Sequence, residues 1–206
     1  AGDGELVQGL YSQLNAQYAH EQKLPLKVDI PERLGLGVIC SEGLQVKKIL
    51  GKGSTATVYK AWDEVTRELV AVKVVSATAA NLLLVDAAKS EVQLLGEIKG
   101  RHPTAADAIF MQMVSFHRTI ERNFIYAGTQ YYIYAIVMDL MDFPLHVVNH
   151  EISILFHSDD KKKIATIKDL MGQLLWGLNV LHSHGIMHRD IKPDNIWIRE
   201  NGEALL

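Results

Sequence analysis

Between Leu44 and Val74 the chain is cut into three short runs rich in β-branched residues: Val46–Leu50, Thr57–Trp62 and Leu69–Val74. Gly51–Gly53 and Asp63–Arg67 stand between them as turn signals. Runs of that length and texture, so closely joined, predict a three-strand meander. The period then changes. Val85, Ala88, Val92, Leu95 and Ile98 recur at helical spacing until His102-Pro103 interrupts them. Phe110–Phe116 and Tyr131–Leu140 read as two further strands joined by a polar loop. After Phe143-Pro144 the texture is helical again, with Leu170, Leu174, Leu178 and Leu181 on one face of Ile164–Ser183. Strands, a helix, two strands and then helices predict an α+β fold of two lobes, with a seam near Met141–Pro144.

Two lobes need enough chain for two cores. The 206 residues fit one generous domain or two small lobes, burying roughly 70% of the extended-chain surface. Apolar residues at 48% and charged residues at 22% exclude a disordered chain. Lys and Arg total 21 against 24 Asp and Glu, so no global basic field exists and no nucleic-acid partner is expected. The single cysteine, Cys40, excludes an internal disulfide framework and a thiolate zinc cluster, and fits an intracellular, reducing compartment. The longest purely apolar run, Tyr131–Met138, is less than half a membrane span, so no transmembrane helix is expected.

Residues 1–43 read as an N-terminal extension, partly helical, because Leu6, Leu10, Leu14 and Tyr18 share a helical stripe before Pro25 and Pro31 break the pattern. A helix packed on the domain that follows is the plainer expectation; a surface for a protein assembly partner is the alternative.

The densest chemistry is His188-Arg189-Asp190-Ile191-Lys192-Pro193-Asp194-Asn195, just after the long helix. Asp190 can accept a proton from a hydroxyl, Lys192 can neutralise a phosphate, and Asn195 can place an oxygen on Mg²⁺. Any one of these is most simply a polar loop residue, but the ordered set is not. His182, His184 and His188 also invite a metal reading, against which stand the lack of a cysteine ligand and the place of His188 in the run.

That run resembles the catalytic loop of protein kinases, H-R-D-x-K-P-x-N. Further matches stand upstream in the family's order. Gly51-Lys52-Gly53-Ser54-Thr55-Ala56-Thr57-Val58 resembles the glycine-rich loop over the ATP phosphates, and Val70-Ala71-Val72-Lys73 the strand whose lysine holds the α- and β-phosphates. Glu91 stands where the family places the glutamate that pairs with that lysine, and Ile136–Met141 resembles the hinge strand that receives adenine. The resemblance covers residues 44–206 and implies a kinase N-lobe with its hinge over 44–142 and a partial C-lobe over 143–206. It implies ATP and Mg²⁺, with ATP met by Leu50, Gly51, Lys52, Gly53, Ser54, Val58, Ala71, Lys73, Glu91, Asp139 and Met141, and the metal by Asn195. Asp190 and Lys192 carry the catalytic roles, and Lys192 favours a protein substrate with a Ser or Thr acceptor over Tyr. In physical terms Gly51 and Gly53 would let backbone N–H groups approach the phosphates, while Lys73 supplies a charge aimed by Glu91.

The sequence also departs from the family. Thr55 replaces the usual aromatic at the loop tip, Ala56 replaces the third glycine, and Trp197 stands where an aliphatic floor under adenine is usual. Ile196–Ile198 and Ala204–Leu206 resemble the strand pair that precedes the family's Asp-Phe-Gly, and that motif is not reached by Leu206. The expectation is therefore the front part of a kinase domain, inefficient alone, with a catalytically impaired scaffold in a larger assembly as the alternative. Leu170, Leu174 and Leu178 are then expected to lack partners and to leave an apolar patch open to association.

Overall fold

The three β-branched runs pair as their turn signals demand. In the computed structural model, which describes residues 30–101, 116–155, 159–183, 185–199 and 204–205, they form β1 (Leu44–Lys52), β2 (Thr57–Asp63) and β3 (Glu68–Thr78). Helix α1 (Ile30–Ser41) precedes them and α2 (Leu83–Arg101) follows; β4 (Phe116–Tyr126) and β5 (Thr129–Asp139) complete an antiparallel sheet in the order β1-β2-β3-β5-β4. Residues 30–101 and 116–140 make one compact unit, and 141–205 belong to a second.

The sheet buries both faces. Because side chains alternate along a strand, Tyr59, Ala61, Val70, Val72, Val74, Ala135 and Val137 meet Val38 and Ile39 of α1 on one side. On the other side Val75, Tyr134 and Ile136 meet Val85 and Ala88 of α2. Thus the end of the stretch read as an extension packs on the sheet. Pro31 stands in the first turn of α1, where a missing N–H is harmless. The proposed stripe from Leu6 to Tyr18 lies outside the described residues.

The fourth strand corrects the sequence reading. Phe110–Ser115 lies outside the described residues, and the supposed polar loop is itself strand, Phe116–Tyr126, paired along its length with β5. It is an edge strand with most side chains exposed, so its polarity hides it. Its turn is hidden too. Ala127 and Gly128 have φ of 47° and 79°, the two positive values a tight primed hairpin turn requires, in place of the familiar Asn-Gly. Alanine is strained there, so Ala127→Asn is expected to stabilise the hairpin by about 0.5–1 kcal/mol, raising the midpoint of thermal unfolding by about 1–4 °C.

In the second unit, β6 (Phe143–Pro144), β7 (Trp197–Ile198) and β8 (Ala204–Leu205) form a small antiparallel sheet beside α3 (Leu145–Leu155) and α4 (Asp160–Ser183). Leu170, Leu174 and Leu178 are not left without partners: they pack on Phe143, Val148, Ile152, Ile196, Ile198 and Ala204. The short strands fill the space that the sequence reading left empty, and the exposed apolar side chains of α4 are instead Ile164, Met171, Leu175 and Trp176. Among the described residues no helix is long and apolar enough to cross a membrane.

Candidate functional site

Two constellations carry the implied chemistry, one in each unit. In the first, Val58 lies directly opposite Lys73, and Ala71 lies two residues before Lys73, so all three share the face of the sheet that α2 covers. From α2, Glu91 holds Lys73: Nζ donates to Oε1 at 2.9 Å and to Oε2 at 2.6 Å. The lysine is 28% and the glutamate 46% exposed, so the pair is open enough to meet a ligand. α2 is itself fixed. Val85 and Ala88 are buried against the sheet, Lys89 bonds Glu121 of β4, and the Lys89 ammonium sits 5.8 Å from the centre of the Tyr134 ring. Sequence reasoning missed this support because it read Glu121 as loop. The Glu121 bond raises the pKa of Lys89 despite partial desolvation, so the tie persists throughout the neutral range.

The β1–β2 hairpin places the glycines. Gly51 pairs with Val58 at the end of the ladder, and Leu50 is the extra residue of a β-bulge between Ile49 and Gly51. A Cβ at Gly51 would meet nothing within 4 Å, so the strand is bare where a ligand must approach. At the tip the Gly53 N–H is engaged, donating to the Ala56 carbonyl at 2.9 Å. No backbone acceptor takes the Ser54, Thr55 or Ala56 N–H among the described residues, so the loop offers amide donors beside the glycines that let a ligand approach. Lys52 also departs from its expected role: its ammonium donates to Glu32 of α1 at 2.6 Å, on the face away from Lys73.

Asp139 ends β5 with its carboxylate 2.9 Å from His117 Nε2, and the Met141 side chain is buried. Backbone groups are therefore what the Met141 position can offer a base.

In the second unit, Asp190, Lys192 and Asn195 close on one another. Lys192 Nζ lies 3.0 Å from Asp190 Oδ2. Asn195 Nδ2 donates to that same oxygen at 2.8 Å and to the Asp190 carbonyl at 2.9 Å. Arg189, in the left-handed region at φ 66°, makes the sharp bend, and a 3₁₀ turn over Pro193–Asn195 returns the chain. The loop is pinned at its far end, where Ile196 and Ile198 are buried and Leu145 N–H donates to the Ile196 carbonyl at 2.8 Å. Trp197 alternates to the opposite side and is half-buried, in register with Pro144 of β6 and Leu205 of β8.

Bonds from Lys192 and then Asn195 hold the Asp190 carboxyl below the usual carboxylate range, so it is an anion wherever a hydroxyl would be activated. Both Asn195 side-chain bonds leave from Nδ2, so Oδ1 stays without a donor among the described residues and fits an oxygen ligand for Mg²⁺. His184 lies outside the described residues, among which no cluster of three His, Cys, Asp or Glu could hold a metal.

A family model for the protein kinase domain matches residues 44–206. The CBL-interacting serine/threonine-protein kinase 20 of Arabidopsis thaliana is 27% identical over 81% of this chain and 33% of its own length. Cyclin-dependent kinase 7 of Xenopus laevis is 32% identical over 79% of this chain and 41% of its own length. Cyclin-dependent kinase 7 of Caenorhabditis elegans is 34% identical over 77% of this chain and 42% of its own. The chain thus spans between 33% and 42% of the length of these relatives.

Proposed function

The chain belongs to the protein kinase family through residues 44–206, and from that premise we propose that it forms the nucleotide-binding and catalytic-loop part of an ATP- and Mg²⁺-dependent kinase acting on Ser or Thr hydroxyls of a protein substrate. The observation that carries the reading is the two-oxygen grip of Glu91 on Lys73, which joins residues of a strand and a helix that the sequence keeps 18 positions apart. Phosphoryl transfer asks a protein mainly for positioning and neutralisation of phosphate charge. Lys73, aimed by Glu91, supports the role of a fixed cation for the α- and β-phosphates, and the open Ser54 and Thr55 amides that of neutral donors. Asp190 orients the acceptor hydroxyl and takes its proton. Lys192, beside that carboxylate, is placed to neutralise charge on the transferring group. Asn195 Oδ1 is the ligand these residues would give Mg²⁺, which when bound would supply neutralisation of phosphate charge. The Ser/Thr preference rests on Lys192 and on the likeness to the Arabidopsis serine/threonine-protein kinase. An intracellular, reducing setting belongs to the same proposal, supported by the exposed free thiol of Cys40.

The test is transfer of labelled γ-phosphate from Mg²⁺·ATP to a peptide pool containing Ser, Thr and Tyr, using the full-length gene product. Phosphoserine and phosphothreonine are expected. Phosphotyrosine alone would overturn the acceptor class, and tight nucleotide binding with no transfer would favour a scaffold. In the same assay Glu91→Gln is expected to raise the KM for ATP about fivefold with a smaller change in kcat, because a part-exposed pair aims Lys73 at a value of about 1 kcal/mol.

A further inference from the structure

Helix α1 stands before the family match, yet it reaches the hairpin that covers the phosphates. Glu32, in its first turn, is 7% exposed and has both carboxylate oxygens engaged: Lys52 Nζ donates to Oε2 at 2.6 Å and Tyr59 Oη to Oε1 at 3.0 Å. Lys52 is the last residue of β1 and Tyr59 lies near the start of β2, so one carboxylate ties together the two arms of the hairpin just behind its loop. A carboxylate this deeply buried is costly unless its charge and lone pairs are answered, and here they are. The positive end of α1 adds to the answer.

The anchor is stiff. Gly35 brings α1 so close to β3 that a Cβ there would lie 2.9 Å from both Val74 Cγ1 and Ser76 Oγ, and Ile39 is buried in the same layer. Beyond the tie, Gly53–Ala56 is held among the described residues by one backbone bond, from Gly53 to Ala56. Tyr59 and Val58 point to opposite faces, so the grip comes from behind and leaves the Lys73 face clear.

We propose that α1 is a brace for the glycine-rich hairpin, with Glu32 as a positioning residue that sets the hairpin's height over the nucleotide through Lys52 and Tyr59. Its link to nucleotide rests on the kinase reading above; the brace itself does not. The test is amide hydrogen exchange together with Mg²⁺·ATP affinity, both on the full chain. Glu32→Gln is expected to speed exchange of the Gly51–Thr57 amides about tenfold while β3 and β5 stay protected, and to weaken Mg²⁺·ATP binding about three- to tenfold. Lys52→Met is the second variant: the lysine side chain is itself 53% exposed, but its loss leaves the Glu32 carboxylate buried without that ammonium, so it should act in the same direction. The double variant, which removes the stranded charge as well, should be no worse than either single variant. Unchanged hairpin exchange in both variants, or faster exchange spread evenly over the sheet, would overturn the brace. Faster hairpin exchange in the variants, when the parent chain itself binds no nucleotide, would uphold the brace and sink the kinase reading instead.

Discussion

Asp190→Asn in the full-length gene product is expected to lower kcat for phosphoryl transfer by about 10²–10⁴ while leaving affinity for Mg²⁺·ATP within about twofold. The substitution is nearly isosteric, and Asn195 can still donate to an amide oxygen at position 190, so the loop keeps its bend. What is lost is the anion that accepts the hydroxyl proton and the charge that attracts Lys192. Bonds from Lys192 and Asn195 already hold this carboxyl below the usual carboxylate range, which makes it a weak base at neutral pH. Its contribution is then to orient the hydroxyl and receive the proton late, as leaving-group charge develops. The depressed pKa has a sign that can be checked. Asp190 stays ionised as the pH falls through the ordinary carboxylate range, so the acid limb of kcat/KM in the parent lies below that range. Lys192→Ala removes the leading cause, and the acid limb is expected to move up toward the ordinary Asp value. Equal transfer by the parent and Asp190→Asn would end the catalytic assignment.

The residues of this loop were legible in the sequence because their order is local: Asp190, Lys192 and Asn195 fall within one bend, and a short motif can carry them. The meander was legible for a similar reason, since Gly51–Gly53 and Asp63–Arg67 mark its turns on the page. Strand β4 was not. An edge strand has one open flank and tolerates His117, Arg118, Glu121 and Arg122 where a central strand would not, so a search for apolar runs passes over it. With β4 went everything that depends on it: the Glu121 support for α2, the His117 contact with Asp139, and the grip of Arg122 on Glu42 beyond α1. The engagement of Lys52 by Glu32 was invisible too, since a glycine-rich loop lysine reads as a phosphate ligand until a helix is found behind it. Long-range pairing of charges leaves no periodic trace; only the fold brings such partners together.

The same hidden strand carries the largest expected effect on stability. Asp63 has the appearance of a turn former in the sequence, and it is one: its Oδ1 accepts the Val65 N–H at 2.9 Å, and its carbonyl accepts Arg67 N–H at 2.8 Å. Its side chain is also 0% exposed and is gripped by Arg118 of β4 through two bonds, Nη1 to Oδ2 and, at 3.1 Å, Nη2 to Oδ1. Burial by itself pushes the Asp63 pKa up; the Arg118 guanidinium, with the Val65 and Thr66 amides, more than offsets this and holds it below the usual value. Arg118→Met keeps the apolar stem and removes the grip. It leaves a buried carboxylate with only amide donors, and a loss of about 3 kcal/mol is expected at pH 7, toward the lower end for a broken buried pair because those donors remain. The pH dependence should reverse. In the parent a depressed carboxyl contributes stability that is present above the unfolded value near 3.9 and is lost as the pH falls through the folded value. In Arg118→Met desolvation dominates, the folded pKa rises above the unfolded one, and the penalty fades as the carboxyl protonates. The gap between the two proteins is therefore expected to narrow on going from pH 7 to pH 4. Protection of the Thr57–Asp63 amides against exchange reads this within one unit and needs no two-state assumption for a chain of two units. A gap that is small at pH 7, or that widens toward pH 4, would show that Arg118 does not hold Asp63 as an ion pair.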